Sequence, residues 1–123
     1  MIEKGLTYTV TSVVSDVNTA VVLGSGDMPV LATPAMVAMM ENAAMLAVAD
    51  YLPEGSTTVG GHIETSHVKP SPVGAGITVT ATLDRVDGRK LYFRLEAYQG
   101  DVLIGEGRHL RFIVDRERFM SKL

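Results

Sequence analysis

The stretch that decides the fold reads Ala32-Thr33-Pro34-Ala35-Met36-Val37-Ala38-Met39-Met40-Glu41-Asn42-Ala43-Ala44-Met45-Leu46-Ala47-Val48-Ala49-Asp50-Tyr51. Two signals start a helix here: a Thr hydroxyl can cap free backbone N–H groups, and Pro is tolerated at the first helical position. The pattern predicts a helix from Pro34 to about Tyr51, ended by Pro53-Glu54-Gly55. Its side chains are apolar around every side, which implies burial all round rather than an amphipathic surface position. Alanines let a sheet approach closely, and methionines fill irregular gaps. One acid, Glu41, sits where a soluble helix rarely carries one.

Strands surround this helix in the sequence. Leu6 to Val13 is β-branched and largely alternating, as a half-buried strand requires. Val21-Val22-Leu23 could add a little more strand, and Gly24-Ser25-Gly26-Asp27 reads as a turn. After the helix, Thr57 to Lys69 forms a strand with a weakness at Gly60-Gly61, where a bulge or a close backbone approach is expected. Pro70-Ser71-Pro72-Val73-Gly74 turns the chain. Ile77 to Leu83 and Leu91 to Tyr98 alternate cleanly on either side of Asp87-Gly88, which predicts a hairpin. Gly100-Asp101 makes a second turn, Val102 to Val114 is the last strand, and a charged tail from Asp115 caps an edge or frays. One strand, a buried helix and four consecutive strands joined by short turns predict an α+β fold, an antiparallel meander curved around the helix, occupying residues 1–123 as one domain.

Composition narrows the function. The chain has 123 residues, a formal charge of −3 and no Cys, so disulfides, thiolate nucleophiles and cysteine metal sites are excluded. No basic run exceeds Arg89-Lys90, which argues against a nucleic-acid partner. The helical apolar run is broken by Glu41 and Asn42 and residues 1–15 hold no signal-type segment, so neither a membrane partner nor export is expected and the cytoplasm is the default. Gly24-Ser25-Gly26 lacks the Lys and the helix junction of a nucleotide loop. His62, His67 and His109 fit no usual zinc spacing, so no metal and no cofactor is expected.

Thr-Pro opening an apolar helix, a Gly60-Gly61-His62 strand, and His67-Val68-Lys69-Pro70-Ser71-Pro72-Val73-Gly74 leading into the next strand together resemble the hotdog-fold acyl-CoA thioesterases, most nearly the fluoroacetyl-CoA thioesterase type. The resemblance runs from about Leu6 to Val114. It implies a hotdog fold with a five-stranded sheet, a small-molecule acyl-CoA substrate, and a homodimer or dimer of dimers. It also implies a catalytic set of Thr33, Glu41 and His67, with Gly60 and Arg111 in substrate binding. The specialised fluoroacetyl enzyme resembled here uses aromatic side chains ahead of its Thr, whereas this chain has none between Thr9 and Asp50. General thioester chemistry is therefore expected, and the resemblance does not carry over selectivity for a fluorinated acyl group.

The residues bear separate readings beside the resemblance. An ionised carboxylate among Met39, Met40, Ala43 and Ala44 is costly unless paired or hydrogen-bonded, and would be left able to act as a base or weak nucleophile. Alternatively Glu41 reaches a sheet end or subunit boundary and is solvated or ion-paired. Thr33 can be simply a cap, beside amides that could also receive an oxyanion. His67 alternates with Thr65, Ile63 and Val59 on the inward face of an unbroken strand, placed to take a proton from the attacking group and return it to the CoA thiolate. His62 and His109 read as surface or structural residues. Arg111 is one of several cations, with Lys69, Arg85, Arg89, Lys90 and Arg108, available to meet CoA phosphates. Thr33 and Glu41, eight residues apart, lie about 12 Å apart along a straight helix. A site using both is expected either across a two-fold dimer or on a bent entry loop. Hydrolysis of a short-chain acyl-CoA is the leading reading; the alternative is a non-catalytic hotdog module that binds such a ligand. A hydratase would favour Asp and His within one short segment, which is absent.

Overall fold

A computed structural model describes residues Met1–Leu123. The elements are β1 (Thr7–Val13), α1 (Ala20–Leu23), α2 (Thr33–Ala49), β2 (Ser56–His67), β3 (Gly76–Asp87), β4 (Lys90–Gln99), β5 (Val102–Asp115) and α3 (Arg116–Ser121). The strands form one antiparallel sheet in the order β1-β3-β4-β5-β2. Gly88 and Gly100, with φ of 61° and 63°, supply the left-handed turn residues that join β3 to β4 and β4 to β5.

Only β3, β4 and β5 form a meander. β2 pairs with β5 at the far edge, so the run of four neighbouring strands expected from the sequence is corrected. Residues 68–75 carry the chain from β2 back to β3 across three strand spacings. Three spacings are about 14 Å, which eight extended residues span with ease. A Pro-rich segment of that length therefore serves equally as a hairpin or as a crossing.

The inner face of the sheet is apolar: Ile77, Val79, Ala81 and Leu83 of β3 and Leu91, Phe93, Leu95 and Ala97 of β4 are buried, together with Ile104 of β5. Against them α2 lays Met36, Met40, Ala43, Ala44, Ala47 and Val48, a stripe recurring at three- and four-residue intervals. The opposite side of α2 is not wrapped: Pro34, Ala38, Asn42 and Ala49 are exposed, and Val37, Glu41 and Met45 half-buried. Burial all round is thus corrected for the single chain, because five strands curve over one side of the rod only. No helix is long and apolar enough to cross a membrane.

Three local expectations also change. Val21, Val22 and Leu23 belong to α1, closed by Gly24 at φ 78° rather than paired as a strand. α2 ends at Ala49, not at Tyr51. The tail after β5 is the short helix α3, whose first turn is capped by Asp115 accepting from the Arg118 N–H at 2.9 Å.

Candidate active site

Thr33 is the first residue of α2 rather than its cap; the N-cap is Ala32, and no side chain caps the helix. Of the two readings of Thr33, as a cap and as a member of the catalytic set, the capping one is not realised. Instead its Oγ1 lies 2.8 Å from Nδ1 of His67, at the end of β2. The backbone N–H groups of Thr33 and Ala35 are left without partners in the chain, and Pro34 has none to offer. Imidazole Nε2 of His67 is buried and likewise without a partner. Thr33 and His67 line one open cavity of about 260 Å³ with Leu31 and Lys69, bordered by Ala20 of α1 and by Ser25.

A bulge sets which β2 residues face inward. The register with β5 shifts between Gly60 and His62, so Gly60 pairs with Arg111 and His62 with Leu110. One inserted residue reverses the alternation: Thr58 is buried before the bulge, and half-buried Ile63, Thr65 and His67 follow it, while His62 is exposed. Grouping Val59 with His67, which an unbroken strand requires, is corrected. The expected bulge is what breaks the strand.

Glu41 is not immersed in apolar side chains. It is half-buried and directed at β2, where a Cβ added to Gly60 would lie 2.8 Å from its Oε2, 3.2 Å from Cε1 of His109 and 3.6 Å from Nη1 of Arg111. Gly60 is therefore the niche that admits the carboxylate. Arg111, 6% exposed, donates from Nε to Thr58 Oγ1 at 2.8 Å and from Nη2 to the Thr58 carbonyl at 2.9 Å, and its Nη1 lies 3.1 Å from His109 Nε2. So held, its guanidinium is buried rather than presented to solvent. Within one chain, then, Thr33 and His67 are brought together, Glu41, Gly60 and Arg111 form a second group, and about 12 Å of helix separates the two.

His109 and Thr58 belong to this second group and were missed in the sequence. His109 is 3% exposed, not a surface residue. The available signal was alternation, which places His109 on the same face of β5 as Arg111.

Burial lowers the pKa of His67, partly offset by the Lys69 backbone. Burial also lowers that of His109, where the His62 backbone is the main offset. Burial likewise lowers Arg111, partly offset by the charge of Glu41. Near neutral pH both imidazoles are thus held as the free base, the form that accepts a proton. Depressed values mean that the unfolded chain binds more protons than the folded one at mildly acid pH. The stability these rings confer is complete above the ordinary value of 6.5 and is lost as pH falls toward their lower folded values. Melting temperature followed from pH 8 to 5.5 is expected to decline, and to decline less in a His67→Gln, His109→Gln double variant; a flat wild-type profile would contradict this.

A helix cradled by a curved antiparallel sheet, with a hydroxyl–imidazole pair at its N-terminus, defines a hotdog-fold protein of thioesterase class. The model of the fluoroacetyl-CoA-specific thioesterase family, FlK, matches residues 14–117. Over 94 residues the chain is 40% identical to a fluoroacetyl-CoA thioesterase of Streptantibioticus cattleyicolor, covering 76% of this chain and 68% of that protein. A solved structure of a mutant fluoroacetyl-CoA-specific thioesterase in complex with fluoroacetate and CoA aligns with a TM-score of 0.89 at 35% identity, covering 96% of this chain and 99% of the other. A Thermus thermophilus hypothetical protein described as a thioesterase superfamily member aligns with a TM-score of 0.90 at 29% identity, covering 98% and 90%. The chain belongs to the fluoroacetyl-CoA-specific thioesterase family, and its activity is acyl-CoA thioester hydrolysis.

Proposed function

We propose that the substrate is a short-chain acyl-CoA without fluorine discrimination, and that Thr33, Glu41 and His67 are the catalytic set. The Thr33–His67 hydrogen bond of 2.8 Å inside a cavity carries this reading. With the hydroxyl donating to Nδ1, His67 takes the proton as oxygen, from Thr33 or from a water beside it, attacks the thioester carbonyl. The new C–O bond forms while the C–S bond breaks, and His67 returns the proton to the CoA thiolate. When Thr33 is the nucleophile, water then hydrolyses the acyl ester with the same base. The unpartnered amides at the start of α2, Thr33 and Ala35, are the proposed donors to the developing oxyanion. Lys69, on the same cavity, is the cation suited to the CoA phosphates.

Glu41 completes the set from a second copy of the chain. Two features support a two-fold homodimer: β2 ends the sheet with one edge unpaired, and the adjoining face of α2 is left open. The segment ahead of Thr33, which includes α1, presents Val21, Val22, Leu23 and Met28 rather than aromatic rings. Thiol release from acetyl-, propionyl-, butyryl- and fluoroacetyl-CoA tests the substrate reading. Acetyl-CoA is expected to be cleaved within about two-hundredfold of fluoroacetyl-CoA, since a small substituent is worth only about 1–3 kcal/mol in an aliphatic pocket. A preference for fluoroacetyl-CoA beyond about a thousandfold would overturn it, requiring discrimination that such pockets do not provide.

A further inference from the structure

We infer that His109 is a positioning residue for Glu41, acting through Arg111: it holds the guanidinium facing the carboxylate yet prevents the two from closing into an ion pair. This inference rests on the reading of Glu41 as a member of the site.

Hydrogen-bond chemistry fixes the arrangement. Nδ1 of His109 lies 2.7 Å from the His62 carbonyl oxygen, which only accepts, so Nδ1 carries a proton. Nε2 lies 3.1 Å from Nη1 of Arg111, which only donates, so Nε2 offers its lone pair. Both ends demand the same neutral tautomer. The ring is further held by packing against Phe93, with centroids 6.3 Å apart.

Arg111 has five N–H groups, of which Thr58 takes two and His109 a third. The guanidinium is thereby anchored on β2 and β5, with Nη1 and the Glu41 carboxylate converging on the space above Gly60. No ion pair forms between them: the two ion pairs of the chain both involve Asp84. The charged and titratable groups facing His109 are Arg111, Glu41 and His62. With one Nη1–H given to His109 and the Nε and Nη2 side held by Thr58, the guanidinium is kept back from the carboxylate: Arg111 attracts Glu41 into the Gly60 niche but leaves its oxygens unbound and able to act. Were the His109 acceptor lost, Nη1 would be free to close on Glu41 and lock it.

Steady-state kinetics on the full-length protein with acetyl-CoA test this. His109→Leu, which keeps bulk but removes the acceptor, is expected to lower kcat about ten- to hundredfold, the worth of one charge-assisted hydrogen bond, with KM within about twofold. His109→Gln, whose amide oxygen reaches the Nε2 position, is expected to recover most of that loss. In a Glu41→Gln background, His109→Leu should cost nothing further, because the group it positions is gone. Equal losses in both backgrounds, or a Gln variant as impaired as Leu, would overturn the inference. A Glu41→Gln variant at full rate would instead overturn the site reading beneath it. If Leu at position 109 prevents folding, His109→Phe, which keeps a ring against Phe93 but removes the acceptor for Arg111 Nη1, makes the same comparison with the same two outcomes. Nitrogen-15 NMR of labelled histidine gives a direct readout: the Nδ1–H neutral tautomer is expected for His109, and an Nε2–H tautomer or an imidazolium at pH 7 would refute the assignment.

Discussion

Acetyl-CoA cleavage is expected to fall about a thousandfold in kcat/KM when His67 is replaced by Ala, and by a similar factor for Glu41→Gln, the middle of the range for losing a positioned acid–base group. His67→Ala removes the acceptor that lies 2.8 Å from the Thr33 hydroxyl, so no group in the cavity can take the proton as oxygen attacks. Glu41→Gln keeps shape and hydrogen-bonding capacity while deleting the charge. Both losses should fall on kcat, because neither residue is proposed to hold the CoA portion. Unchanged rates in both variants would reject the site.

Mixing the two variants separates a shared site from one built within a chain. If Glu41 of one chain serves Thr33 and His67 of another, a heterodimer of the two variants carries one doubly damaged site and one intact site. Random exchange makes half the dimers mixed, so about a quarter of wild-type activity should return. Sites built within one chain would recover nothing. About 12 Å of helix between Thr33 and Glu41 makes recovery the expected outcome. Absence of recovery, with exchange verified by mass, would require α2 to unwind at its start to bring the groups together.

Much of this was legible in the residues. Thr33-Pro34 and the apolar run located the helix within two residues at its end, and alternation with Asp87-Gly88 and Gly100-Asp101 located β3, β4 and β5. Gly60-Gly61 announced the bulge, but not its effect on facing, because reversal of alternation depends on the register with β5. The strand order was not legible: local turn chemistry in Pro70-Ser71-Pro72 says that the chain changes direction, not which strand it reaches. The capping reading of Thr33 failed because capping is a local rule, whereas the hydroxyl found a partner 34 residues away. His109 and Thr58 were passed over for the same reason. Their meaning lies in pairing across β2 and β5 with Arg111, a contact that no single strand displays.

Gly107→Ala is expected to produce the largest loss of stability of any single methyl addition in the sheet, about 3 kcal/mol or more in chemical unfolding, at the upper end of overpacking costs. A Cβ there would overlap the Glu64 carbonyl oxygen and lie 2.8 Å from both Cα and Cβ of Thr65. Two of those atoms are backbone of the neighbouring strand, so relief requires β2 to move. At Gly60 the nearest atom is instead the end of the Glu41 side chain, which can swing aside. Gly76 is the control, a strand glycine with nothing within 4 Å of an added Cβ, where Ala should change stability by no more than about 0.5 kcal/mol. The loss also has a catalytic consequence. Gly107 pairs with Thr65, and Gly105 pairs with His67 two residues further on, so pushing β2 away at Thr65 displaces the imidazole from Thr33. Residual folded enzyme should therefore be slow as well as unstable. A Gly107→Ala variant with wild-type stability and rate would refute the close approach of β2 to β5, and with it the register that sets His67 against Thr33.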